Sequence, residues 1–177
     1  INNMDFSNGK LNYTSWRNAD IGSSNNFTGA SLKEADFSGA SISVKKFANA
    51  NLKDSIFDKS ICYGAKFDGA NLTNASFLSA TLTYSHSQSS YNFATSFVDA
   101  NLTNAKLSGL TFSTTYNSVN FKNANLRNAD LSDGIFTTGE IYSRSYLFDG
   151  ADLTGTNFTN ATFADISIEK NANNIYN

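Results

Sequence analysis

A large apolar residue recurs at every fifth position of the chain from residue 27 to residue 82. These positions hold Phe27, Leu32, Phe37, Ile42, Phe47, Leu52, Phe57, Cys62, Phe67, Leu72, Phe77 and Leu82. An α-helix needs apolar residues at spacings of three and four, and a β-strand needs alternation. A period of five keeps one face apolar when the backbone turns a corner about once per unit. Four units then close one coil, and coils stacked at roughly 4.8 Å form a solenoid.

The identity of the apolar residues predicts how they stack. Phe recurs at every tenth position, and Ala or Ser usually stands two places before each apolar residue. Since ten residues make half of a four-unit coil, we expect two opposite phenylalanine ladders with aliphatic ladders between them. The expected ladders are Phe27–Phe47–Phe67, Phe37–Phe57–Phe77, Leu32–Leu52–Leu72 and Ile42–Cys62–Leu82.

The repeat unit reads Ala-(Asn/Asp)-(Leu/Phe)-x-x, and residues 69–77, 99–105 and 123–132 show it most clearly. From about Asp5 to Ile168 the chain resembles the pentapeptide-repeat family. The resemblance implies an all-β fold, a right-handed quadrilateral parallel β-helix, whose hand the spacing alone does not give. The length then corresponds to about eight to nine coils in a single domain over residues 1–177.

Four interruptions break the repeat, near residues 22–26, 83–96, 113–120 and 137–147. The register moves forward by one residue at the first interruption and is unchanged across the second. It slips back by one at the third and shifts by two at the fourth. We expect a bulge at a corner for the first, and two units bulging outward without a net insertion for the second.

Three positions need individual interpretation. Trp16 falls at the start of a phenylalanine ladder and is either a lid over the core or an ordinary core residue. Lys45 stands where a small inward residue is expected. Because an unpaired ammonium is costly in an apolar core, we expect Val44 to turn inward and residues 43–46 to be distorted. Cys62 falls on a core position, which favours a buried apolar role over a reactive thiol.

The charge balance argues against nucleic acid as a direct partner. Thirteen basic and fifteen acidic residues are interspersed and give a net charge of −2, whereas a nucleic-acid binder shows a basic stripe. No apolar run is long enough to span a membrane. No signal peptide is visible, but the chain begins at Ile1, so a cytoplasmic protein and a secreted effector are both compatible with it.

Catalytic and metal chemistry find little support in the residues. His86 is the single histidine, and the serines around it form no nucleophile motif, so we expect an exposed loop histidine and no enzyme. The single His and the single Cys lie far apart in sequence, which does not favour a metal site. No glycine-rich phosphate loop occurs, and no cofactor is expected.

Tyrosines gather in or beside the interruptions, and tyrosine is favoured at protein interfaces. They either contact a partner or fill gaps in disrupted coils. Loops on a rigid repeat scaffold commonly carry recognition. The candidate partner-binding residues are Tyr84, His86, Tyr91, Tyr116, Tyr142, Arg144 and Tyr146.

These observations predict a non-enzymatic structural scaffold for protein–protein interaction. It is either a whole protein or the repeat region of a larger bacterial protein or effector. The resemblance implies an alternative, a DNA mimic that binds a type II topoisomerase and protects gyrase, which the near-neutral charge disfavours. A terminal coil left uncovered near Phe163 would allow a homodimer.

Overall fold

The structure is a computed structural model, and it describes residues 3–42, 46–62, 64–82, 95–112, 119–137 and 147–164. Within these ranges there is no helix, and the strands are β1 (Asp20–Ile21), β2 (Ser41–Ile42), β3 (Ile135–Thr137) and β4 (Thr162–Ala164). Strand β1 pairs in parallel with β2, and β3 pairs in parallel with β4. Most of the remaining backbone pairing is made by single bridges.

Every bridge between the described residues is parallel and joins equivalent positions of the repeat. Asn51, for example, bridges Ser31 on one side and Asn71 on the other, each twenty residues away. Twenty residues are four five-residue units, which is the offset that the period predicts. The bridges therefore stack one pass of the chain directly on the next, as in a solenoid.

The interruptions change this offset as the register predicts. The offset is 21 across residues 22–26, as between Asp5 and Asn26, and it is 30, 24 and 27 across the three later interruptions. When whole five-residue units are subtracted from these offsets, the remainders are one, zero, minus one and two. These remainders are the predicted shifts in register. The expectation of no net insertion in the second interruption is wrong. Ten extra residues separate Lys66 from Ser96, and the phase is kept because ten is two whole units.

The inward residues form four columns, numbered in chain order, and the predicted ladders are confirmed as parts of them. The first column is Phe6, Phe27, Phe47, Phe67, Phe97, Phe121 and Phe148. The second is Leu11, Leu32, Leu52, Leu72, Leu102, Leu126 and Leu153. The third is Trp16, Phe37, Phe57, Phe77, Leu107, Leu131 and Phe158. The fourth is Ile21, Ile42, Cys62, Leu82, Phe112, Phe136 and Phe163.

Aromatic rings stack within a column and meet edge to face between columns. The ring centroids of Phe27 and Phe47 lie 5.0 Å apart with an interplanar angle of 5°. Those of Phe37 and Phe57 lie 4.8 Å apart at 4°. Between the columns, Phe27 and Phe37 meet at 90°. Both arrangements are favourable for aromatic pairs, and these side chains are almost completely buried.

Trp16 occupies the first place of the third column. Its ring stacks on Phe37 at 6.0 Å and 8°, and its Nε1 donates a hydrogen bond to Thr14 Oγ1 at 2.7 Å. Cys62 is fully buried, as predicted, and burial raises the pKa of its thiol to about 12. The expected distortion around Lys45 and Val44 lies outside the described residues.

The residue types of the repeat follow from how each unit turns. Asn71 Oδ1 accepts hydrogen bonds from the backbone N–H and the hydroxyl of Thr73, at 3.1 and 2.7 Å. Ala75 N then donates to Leu72 O at 2.9 Å, which closes a turn. Asn74 has a φ of 60°, in the left-handed region that Asn tolerates better than most residues. Where the repeat has Asn or Asp before the inward residue and Asn or Gly at the left-handed place after it, these residues stabilise the corner.

Glycine at a corner also permits close stacking of neighbouring coils. Gly69 has a φ of 67°, and a Cβ added to it would overlap the Oδ1 atom of Asn49 in the preceding coil. Gly109 has a φ of 69°, but a Cβ there would meet no atom within 4 Å. Glycine at 69 is therefore favoured by the close approach of the Asn49 side chain as well as by backbone conformation.

The bulge predicted at residues 22–26 is organised by Asn25, whose exposure is 2%. Its Oδ1 accepts a hydrogen bond from Met4 N at 2.9 Å, and its Nδ2 donates to Gly22 O at 3.1 Å. A polar residue can take this inward place, where Ala or Ser is usual, because both ends of its amide have partners.

Candidate interaction surface

All the interruptions lie on one edge of the coil stack. Each begins after a fourth-column residue and ends before a first-column residue, as between Leu82 and Phe97 or between Phe112 and Phe121. The bulge between Ile21 and Phe27 has the same position. We call this boundary between the fourth and first columns the interrupted edge. Between the other neighbouring columns the five-residue spacing holds throughout the described ranges.

The predicted contact residues belong to segments that start from this edge, although the residues themselves lie outside the described ranges. Leu82 and Thr95 bound the segment that contains Tyr84, His86 and Tyr91. Phe112 and Val119 bound the segment with Tyr116, and Phe136 and Leu147 bound the segment with Tyr142, Arg144 and Tyr146. Leu82, Phe112 and Phe136 occupy successive places in the fourth column. The three segments therefore start from neighbouring coils, roughly 4.8 Å apart along the stack.

The hydroxyl of Thr95 holds together the two ends of the longest of these segments. Thr95 is fully buried, and its Oγ1 accepts a hydrogen bond from Gly64 N at 3.1 Å. The same Oγ1 lies 2.6 Å from Leu82 O and 2.8 Å from Cys62 O, to either of which it can donate its one proton. Thr95, the residue after the segment, is thus linked to Leu82, the residue before it.

Sequence reasoning missed the residues that build the base of the interrupted edge. Thr95 and Val119 stand two places before first-column phenylalanines, and Leu110 stands two places before Phe112, where the repeat usually has Ala or Ser. All three are buried. The available signal was a threonine or valine at the small inward position, because each stands where an interruption ends. Leu110 takes the same inward place on the regular boundary before Phe112.

The acidic side chains of the described residues are distributed among hydrogen-bonded and ionic partners. Arg17 Nη1 lies 2.7 Å from Asp36 Oδ2, and Asn74 Nδ2 donates to Asp54 Oδ1 at 2.7 Å. Hydrogen bonds from the hydroxyl and the backbone N–H of Thr154 lower the pKa of Asp152. Further partners across coils are Arg127 for Asp152, Lys122 for Asp149, Asn123 for Asp99, Ser96 for Asp68, Asn157 for Asp130 and Asn160 for Asp133.

Neither a metal site nor a membrane span is found in the part of the chain that the structure describes. No three His, Cys, Asp or Glu residues there are grouped so that they could hold a metal ion. None of the described residues belongs to a helix with the length and apolar character needed to cross a bilayer.

Comparison with known proteins places these observations in a family. A sequence model described as Pentapeptide repeats matches the chain in eight copies, over residues 3–43, 46–74, 95–137 and 147–167. Two of the gaps between the matched ranges, 75–94 and 138–146, contain inserted segments of the interrupted edge. No curated protein matches the chain.

Several solved structures are similar to the chain. Full-length QnrB1, described as a plasmid-mediated fluoroquinolone resistance protein, is 20% identical with a TM-score of 0.46, over 94% of this chain and 75% of QnrB1. HetL, a pentapeptide repeat protein involved in heterocyst differentiation regulation in Nostoc sp. strain PCC 7120, is 20% identical with a TM-score of 0.28, over 95% and 88%. A pentapeptide repeat protein of the Arabidopsis thaliana thylakoid lumen is 21% identical with a TM-score of 0.19, over 87% and 71%. Because the family model matches most of its length, this chain belongs to the pentapeptide-repeat family.

Proposed function

We propose that the chain is a non-enzymatic scaffold for protein–protein interaction that presents its partner-binding residues along the interrupted edge. It forms a single domain over residues 1–177, a right-handed quadrilateral β-helix of about eight to nine coils. The twenty-residue offset of the bridges supports four sides per coil, and the hand follows from the family. The scaffold acts either alone or as the repeat region of a larger bacterial protein or effector.

The observation that carries this proposal is the shared position of the interruptions. Four stacked columns of buried side chains fix the coils, and the longer insertions start from three successive coils at one corner. Insertions of unrelated length at scattered corners would suggest tolerated loops. Their confinement to one edge instead supports a continuous surface on a rigid frame, which is how repeat proteins commonly bind partners.

The composition of the inserted segments supports a protein partner. Tyr84, Tyr91, Tyr142 and Tyr146 supply large contact areas with few rotatable bonds. Arg144 adds a planar cation that stacks on aromatic rings and pairs with carboxylates. The competing interpretation is that these tyrosines fill gaps in disrupted coils, and it predicts loss of stability when they are removed.

The experiment is capture of partners from a cell lysate with the wild-type chain and with matched tyrosine variants. One variant combines Tyr84→Ala with Tyr91→Ala, and another combines Tyr142→Ala with Tyr146→Ala. Tyr13→Ala is the control, because Tyr13 is 69% exposed at a regular corner of the second column. We expect a partner that binds the wild type and the control but not the edge variants. Retention of every partner by the folded edge variants contradicts the proposal, and unfolding of these variants supports gap filling.

The alternative of DNA mimicry has less support. Duplex DNA carries one negative charge per roughly 1.7 Å of its axis, whereas the described carboxylates alternate with cationic and amide partners and the net charge is −2. A gyrase supercoiling assay distinguishes the two functions. Inhibition or protection of gyrase by stoichiometric amounts of this chain would favour mimicry over the scaffold.

A further inference from the structure

One row of residues on the fourth-column side, five exposed and one half-buried, lacks charge and carries apolar side chains. The row consists of the residues that directly precede the fourth-column residues from Ile42 to Phe163, namely Ser41, Ile61, Thr81, Thr111, Ile135 and Thr162, and we call it the Ile/Thr strip. Ile61 is 41% exposed and Ile135 is 44% exposed. At this position of the repeat Asn or Asp is usual on the second column, as at Asn71 and Asn101.

The members of the Ile/Thr strip are neighbours along the stack. Ser41 bridges Ile61, Ile61 bridges Thr81, and Thr111 bridges Ile135. Ile135 pairs with Thr162 between β3 and β4. The thirty-residue offset between Ser76 and Lys106 makes Thr111 the member of the strip that follows Thr81, although no bridge joins these two described residues. The strip therefore spans six coils, with a bridge or strand pairing at every step except this one.

The types of residue along the strip follow the same order from either end. From Ser41 to Thr162 they are a hydroxyl residue, Ile, Thr, Thr, Ile and a hydroxyl residue. A two-fold axis that crosses the strip between Thr81 and Thr111 would set Ile61 against Ile135 of an antiparallel second copy, and Thr81 against Thr111. Such correspondence is what an interface between identical subunits requires, because each residue must suit its counterpart in the other copy.

The corner row beside the strip has complementary charges under the same axis. Lys59 and Asp133 each stand two places before a strip isoleucine, at left-handed corners with φ of 59° and 56°. Both side chains are exposed. The axis that pairs Ile61 with Ile135 also pairs Lys59 with Asp133 of the other copy, twice in each dimer. Opposite charges at these two places are not required by the fold, since other corners carry Asn, Ser or Gly.

The absence of other charge on this side is consistent with the same arrangement. Within the described ranges, Asp20 is the one charged residue that directly precedes or follows a fourth-column residue. Asp20 lies one coil beyond Ser41, outside the symmetric stretch. When a surface packs on a second copy of itself, a charge near the two-fold axis meets the same charge of the other copy, which is unfavourable. Charges away from the axis avoid this when each one meets an opposite charge, as Lys59 and Asp133 do.

We propose that the Ile/Thr strip is a self-association surface, on which a second copy of the chain packs side by side and antiparallel. The strip is about 24 Å long at strand spacing and two residue rows wide. This is less than the ~800 Å² per partner of a stable interface, so the dimer forms at roughly micromolar to millimolar concentration. The axis places the interrupted edges of both copies on the same side of the dimer, so that a partner would meet two of them.

The test is sedimentation velocity of the full chain over about a hundred-fold range of concentration, which spans the expected association. The wild type should dimerise reversibly. Ile135→Thr, which makes this place like its neighbours in the strip, should weaken the dimer about ten-fold or more. Lys59→Asp and Asp133→Lys should each weaken it by a similar factor because each sets like charges together twice. The double variant Lys59→Asp/Asp133→Lys should restore it.

A matched control is Lys10→Asp, an exposed residue that precedes second-column Leu11 on another side. It makes the same charge change as Lys59→Asp and should leave dimerisation unaltered. A chain that stays monomeric at every concentration overturns the proposal. So does failure of the double variant to recover association. Dimerisation that survives both Ile135→Thr and Lys59→Asp also overturns it and assigns association to a terminal coil instead.

Discussion

Replacing Thr95 by Val tests whether its hydroxyl holds the base of the longest inserted segment. Val keeps the shape and the buried methyl group of Thr95, but it removes the acceptor for Gly64 N–H and the donor to Leu82 O or Cys62 O. Gly64 is buried, so its N–H loses a partner where water does not readily replace it. An unsatisfied buried donor costs about 1–3 kcal/mol, and loss of the second bond adds about 0.5–1.5 kcal/mol.

The expected loss in the free energy of unfolding is therefore about 2–4 kcal/mol for Thr95→Val. For a chain of this length that corresponds to a fall in Tm of about 4–16 °C. Thr95→Ser is the control, because it keeps the hydroxyl and loses one methyl group, at a cost of about 1 kcal/mol. Thermal unfolding followed by circular dichroism measures both variants.

Amide hydrogen exchange at Gly64 separates the local effect from a general loss of stability. We expect exchange at Gly64 to accelerate more than at distant core amides such as Leu32 in the Val variant, and to stay slow in the Ser variant. If Thr95→Val is as stable as the wild type, or if the Ser variant is the less stable of the two, the hydroxyl does not hold this edge together.

Three further experiments test other parts of the fold. Gly69→Ala should lower the melting temperature more than Gly109→Ala. Both substitutions add strain of roughly 1–2 kcal/mol at a left-handed corner, but the new methyl group at 69 also collides with Asn49. Equal melting temperatures would contradict this packing. Phe57→Ala should cost about 3–5 kcal/mol, since its ring is fully buried between the rings of two neighbouring coils, and denaturant unfolding measures it. Cys62 should lose its contribution to stability as pH rises from about 9 to about 12, because its thiol ionises near 9.0 when unfolded and near 12 when folded. Cys62→Ala should show a flatter pH dependence over that range, and identical curves would be evidence against the burial effect.

The ladders and the bulge at residues 22–26 could be predicted from the sequence because each follows from local chemistry. An inward Phe every tenth residue must stack once four units complete a coil, and Phe27, Phe47 and Phe67 do so. The exchange of a small inward residue for Asn25 could not be predicted in the same way. Its burial depends on hydrogen bonds to Met4 and Gly22, which only the stacked neighbour and the local turn supply.

The candidate surfaces show where the period stops being informative. A register fixes the length of each coil modulo five, so the predicted shifts agree with offsets of 21, 30, 24 and 27. It does not fix how many whole units an interruption adds, because two extra units between Lys66 and Ser96 leave the phase unchanged. That number decides which residues share a row across coils.

Ile61 stands three coils from Ile135, and Lys59 three from Asp133, only because of the whole units that the insertions add. The symmetry of the Ile/Thr strip therefore has no signature in the spacing along the chain. The insertions thus do two things at once: they supply the segments of the interrupted edge, and they set the rows on the neighbouring side into the order that a second copy can match.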